Sequence, residues 1–140
     1  MTALGDAILT RLRLVVAAQN VIDLSRPRTG LGTNTEDTDL VEEAAEDAAG
    51  VVERYAGTVT ATHSDLSYLK SEGVQIALVH LQAIWPLMFG DAPVDHLTNI
   101  HARLERYADS RLAESSGDPV ATDYDYTELD TRYPGTTWED

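Results

Sequence analysis

The chain is 140 residues long, and its 24 acids against ten lysines and arginines leave a net charge of −14. That length fits one domain, and without cysteine neither a disulfide framework nor a thiolate metal site can form. The acidity repels nucleic-acid phosphates, so specific DNA or RNA recognition is not expected. No apolar run reaches the roughly 18–20 residues of a membrane span. The start, MTALGDAILTRLR, lacks a signal peptide's basic start and continuous apolar stretch. A soluble protein made in a cytoplasm is the expectation.

The first predicted helix covers residues 4–18. Leu4, Ile8, Leu12, Val15 and Val16 recur at helical spacing, with Arg11 and Arg13 off the stripe. Residues 20–37 lose this period and are punctuated by Pro27, Gly30 and Gly32, so a long loop is expected, of the kind that often carries function. A second helix is predicted over 38–56, capped by Asp37 or Thr38 and stopped by Gly57. One face is rich in alanine (Ala44, Ala45, Ala48), and Glu42, Glu43, Glu46, Asp47 and Glu53 occupy the other. Residues 36–47 contribute −7 with no base.

After a short β-prone connector, TVTAT, a third helix is predicted over 65–88. Leu66, Leu69, Ile76, Leu78, Leu81 and Ile84 make it apolar over much of its circumference, which suits a central position. Gly73 within it suggests tight packing, and Pro86 should kink or end it. Pro93 suits the first turn of a fourth helix over 93–112, with Val94, Leu97, Ile100, Leu104 and Leu112 on its stripe. The expected fold is all-α: a four-helix body over 1–112 with a long loop after its first helix, and an extended arm over 113–140.

The arm holds eight acids and one base, Arg132, yet also Tyr124, Tyr126, Tyr133 and Trp138. Its charge disfavours a core of its own, whereas aromatics anchor interfaces. Val120, Thr122, Tyr124 and Tyr126 alternate with Ala121, Asp123 and Asp125, a period of two. No other segment offers a good strand to pair with, and an isolated strand is unstable in water. The reading is β-augmentation of a partner's sheet edge, with Leu129, Tyr133 and Trp138 filling pockets further along. A disordered acidic tail is the alternative.

Catalytic and metal motifs are not found. His96 and His101 lie about 140° apart around one helix, and His101 with Glu105 would give only two ligands. There is no HExxH and no GxSxG, and Gly30-Leu31-Gly32 lacks the setting and third glycine of a dinucleotide loop. The acids of 36–47 lack EF-hand spacing. No cofactor, no metal and no enzymatic activity are expected.

Three stretches carry a resemblance to a known family: LVEEAAEDAAGVVERYAG, HSDLSYLKSEGVQIALVHL and the polar segment after the fourth helix. Their layout resembles the small helical adaptor, or head-completion, proteins that form the head-to-tail connector of tailed phages. The resemblance implies a homo-oligomeric, dodecameric ring in the virion, under the portal protein. Such a ring extends the DNA channel and meets the next connector or tail-completion protein. DNA passes through without specific binding, the C-terminal segment reaches the portal, and no catalytic residues are implied. In such a ring Glu42, Glu43, Glu46 and Asp47 would face the channel or a neighbouring subunit. Arg11, Arg13, Arg26 and Arg28, which give residues 1–35 a net charge of +2, are candidates to meet the next subunit's acidic face. The competing readings are a tail-completion protein and a small acidic regulator that mimics DNA.

Overall fold

Two capped helix starts set the frame of the molecule. In the computed structural model, which describes residues 1–25 and 35–116, the Thr2 hydroxyl accepts from Gly5 N and opens α1 (Ala3–Val15). The Asp37 carboxylate accepts from Leu40 N and opens α3 (Thr38–Ala56). Each cap satisfies a backbone donor that has no partner within its helix. Between them lies α2 (Ala18–Ser25), and α4 (Leu66–Ala83), α5 (Pro86–Phe89) and α6 (Ala92–Ser116) follow. The described residues are helical with no strand, so the fold is all-α.

The count of four helices is corrected to six among the described residues. Residues 20–25, expected in the long loop, belong to α2. Val21 and Ser25 are the buried side of this short helix. Val21 is the one apolar residue on that buried side, so the sequence offers no apolar stripe to mark the helix. The Ser25 hydroxyl accepts from Asp37 N at 2.9 Å and donates to Ile22 O at 3.3 Å, tying the end of α2 to the start of α3. The expected third helix, 65–88, is two helices. Pro86 drives the preceding Trp85 out of helical geometry, to φ −120° and ψ 62°, and then occupies the first turn of α5. The fourth expected helix runs on to Ser116, so residues 113–116 of the expected arm are helical. Residues 26–34 and 117–140 lie outside the described residues.

The chain divides into two compact units, residues 1–104 and 105–140. In the first, α1, α3 and α4 each pack against the other two, so they form a triangle in section. Thr2 reaches Glu46 and Arg13 reaches Glu36, so α1 and α3 are antiparallel. The alanines Ala44, Ala45, Ala48 and Ala49 are buried on the inner side of α3, where small side chains let the other two helices come near. Leu4, Ile8 and Leu12 of α1, Leu69, Ile76, Ala77 and Leu81 of α4, and Ile100 and Leu104 of α6 complete the core. Val15, expected on the buried stripe, is instead exposed, because α1 ends there and Val16 is already extended.

At Gly73, α4 packs tightly on α1. A Cβ built there would lie 2.6 Å from Ile8 Cγ1, inside van der Waals contact. Gly57 ends α3 at φ 75°, a left-handed conformation that disfavours other residues, and its N–H donates to Glu53 O. Val59, in the connector, is buried, and its N–H donates to the Glu53 carboxylate at 2.9 Å. Val59 alone of the TVTAT segment is inserted; Thr58, Thr60, Ala61 and Thr62 are exposed.

In the second unit the described residues continue α6 through Ser116, with the Arg111 guanidinium 5.9 Å above the Tyr107 ring. None of the helices among the described residues is long and apolar enough to cross a membrane.

Candidate interaction surfaces

The outer side of α3 follows from its inner side. With Val41, Ala44, Ala45, Ala48 and Val52 buried, positions 39, 43, 47, 50 and 54 must point away from the core at a spacing of three to four residues. They are Asp39, Glu43, Asp47, Gly50 and Arg54, and all are exposed. Of the acids singled out in the sequence, Glu43 and Asp47 lie on this stripe, and Glu42 is exposed beside it. Glu46 does not join them. It turns toward α1, where its carboxylate accepts from the Thr2 N–H at 3.2 Å and the Thr2 hydroxyl at 3.1 Å. It therefore fixes the start of α1 against α3.

The arginines separate in the same way. Arg13 grips Glu36 through both terminal guanidinium nitrogens, at 2.6 Å and 2.5 Å. The hydrogen bonds hold the Glu36 carboxyl below its ordinary range and raise the guanidinium, against a smaller desolvation effect. Arg13 is thus committed within its own chain. Arg11 is exposed and lies with Lys70 in a groove between α1 and α4, which Asp6, Ala7, Thr10 and Leu14 also line. Arg26 and Arg28 lie outside the described residues. So do Val120, Thr122, Tyr124, Tyr126, Leu129, Tyr133 and Trp138, the expected partner-binding positions of the arm.

Polar constellations that sequence reasoning missed sit where α6 meets α3 and α4. Glu72 is 2% exposed, on the apolar side of α4. Arg103, placed on α6 between Ile100 and Leu104, holds it with two hydrogen bonds, and Tyr68 OH and Gln75 Nε2 donate to it as well. Burial pushes the Glu72 carboxyl upward, but the bonds from Arg103 and Tyr68 and the nearby positive charge outweigh it, and the net shift is downward. The signal was present in the sequence, since an acid follows Leu69 and precedes Ile76 inside an apolar stripe. The second constellation joins the Tyr55 hydroxyl to His101 Nδ1 at 2.6 Å, with the rings 5.6 Å apart. This assigns His101 a structural partner.

The first unit exposes apolar side chains beyond the end of α4. Trp85 Nε1 donates to Leu24 O and fastens α2 to the end of α4. The adjoining α5 leaves Leu87 and Met88 exposed. Among the described residues no three of His, Cys, Asp and Glu are placed to hold a metal ion. The chain matches no family model, no curated protein and no solved structure.

Proposed function

We propose that the chain is a structural connector of a tailed virus, a subunit of a ring that sits under the portal and continues the DNA channel without catalysis. The observation that carries this reading is the exposed stripe Asp39, Glu43 and Asp47 on α3. Such a stripe suits either the bore, where fixed negative charge repels the phosphate backbone, or the basic face of a neighbouring subunit in the ring. The all-α body and the family resemblance of its second and third sequence helices support the same reading. The acidic, aromatic segment 117–140 supplies the chemistry to reach a partner's sheet edge.

A DNA mimic draws on the same stripe, but its charge density is low. Its row of three acids is followed by the open Gly50 and the cation Arg54, whereas a phosphate row is negative throughout. The connector therefore takes precedence.

Co-expression with the portal protein of the same genome tests the proposal. A complex with multiple copies of the chain beneath the portal ring in electron micrographs is expected, and a chain ending at Ser116 should lose it. A full chain that elutes apart from the portal overturns the reading. Competition with DNA for a basic protein would favour the mimic.

A further inference from the structure

We propose that the α1/α4 groove of one copy receives the outer stripe of α3 from a second copy, so that the chain associates head to tail. The inference rests on the ring reading and names the surfaces that would make the ring.

Because α1, α3 and α4 form a triangle, the outer side of α3 and the α1/α4 groove lie on opposite sides of the body. A contact between two different, oppositely placed surfaces is heterologous. It leaves one of each unfilled at the ends of any short assembly and closes only as a ring, or else grows as a filament.

Charge then identifies the occupant. Among the described residues of the first unit, Arg13 and Arg103 are already paired with Glu36 and Glu72. The cations outside such pairs include Arg11 and Lys70, which flank the groove. The stripe of a second copy presents Asp39, Glu43 and Asp47. Each surface also carries one charge of the opposite sign at an end: Asp6 in the groove and Arg54 on the stripe. Docked along the groove, the incoming α3 sets its acids near Arg11 and Lys70.

Shape and hydrophobicity agree. Leu14 is 74% exposed at the groove and Val15 beside it 51%, large apolar surface without a partner among the described residues. On the stripe, Gly50 is open, with nothing within 4 Å of a Cβ built on it. A helix with a bare backbone spot between its acids and Arg54 can approach the groove closely. Exposed ion pairs alone contribute little, so burial of Leu14 supplies much of the affinity and the charges set the register.

Charge exchange tests the interface. Arg11→Glu with Lys70→Glu reverses the groove, and Glu43→Lys with Asp47→Lys reverses the stripe. All four positions are at the surface, and circular dichroism verifies folding. Sedimentation velocity should show the unaltered chain assembling, and each variant alone weaker by about 100-fold or more, since like charges then meet. Mixed one to one, every groove again finds a complementary stripe, and assembly should return. As a steric check, Gly50→Trp should fold normally and fail to assemble. If the unaltered chain assembles and the variants do so equally well, the interface is overturned and the ring reading stands. An unaltered chain that stays monomeric at about 100 μM also overturns the interface. If the charge exchange behaves as expected but no assembly joins a portal, the connector reading falls and the interface stands.

Discussion

Arg103 holds the Glu72 carboxylate in a fork, Nε to Oε2 at 2.7 Å and Nη2 to Oε1 at 2.8 Å. The pair joins α6 to α4 at the edge of the core, with the Glu72 side chain almost wholly buried and the Arg103 side chain about one-third exposed. Gln75 completes the arrangement, donating to Glu72 Oε1 and accepting from Arg103 Nη2, each at 3.3 Å. A buried carboxylate is costly unless it is paired and hydrogen-bonded. Here the cost is offset by donors from both helices.

Arg103→Met should therefore destabilise the chain by about 3 kcal/mol, because it leaves Glu72 buried and without its cation. The double variant Glu72→Leu with Arg103→Met should recover much of that loss, since similar volume is kept and no charge is buried. Urea unfolding of the three proteins measures both. A single variant as stable as the parent would show that Glu72 is hydrated in solution.

The same pair fixes the response to acid. Glu72 and Glu36 both have folded-state carboxyls held below their ordinary range. The unfolded chain binds their protons first as the pH falls. Their stabilisation is thus fully present above the unfolded pKa and is lost as the pH drops through the lower folded values. Stability should decline below about pH 4.5, the ordinary range of glutamate. In Arg103→Met the sign for Glu72 reverses. Burial then dominates and raises its folded pKa, so that contribution is lost as the pH rises through it. Thermal unfolding between pH 3 and 7 separates the two proteins.

Gly73→Val should be among the most damaging single changes in the first unit. Even a Cβ at this position meets the Ile8 side chain, and a branched side chain would push α1 from α4. A loss of about 3 kcal/mol is expected from overpacking. Adding Ile8→Ala to make room should restore part of it. Additive losses would show that the two positions do not share the strain.

Tyr55→Phe removes a hydroxyl that lies 2.6 Å from His101 Nδ1 and keeps the ring. A loss of about 1 kcal/mol is expected for one partly buried hydrogen bond. His101→Phe should cost no more once Tyr55 is already Phe, and a double-mutant cycle reads that coupling. A coupling of zero would separate the two rings energetically.

The sequence by itself determined the helical class, the inner face of α3, its stop at Gly57 and the break at Pro86. Each depends on local rules: the 3.6-residue period, a glycine able to take positive φ, and a proline that restricts the residue before it. It also marked Gly73 as a packing point, because glycine inside an apolar helix is otherwise unfavourable. Only the tertiary structure decided which charges are available. Glu46 and Glu43 stand three residues apart with the same chemistry, yet Glu46 is occupied by Thr2, 44 positions away in the chain, while Glu43 faces water. Arg13 and Arg11 divide in the same way between Glu36 and an open groove. Pairing of this kind depends on which helices come to lie side by side, and that is set by the sum of many apolar contacts distant in sequence, not by any residue's neighbours along the chain.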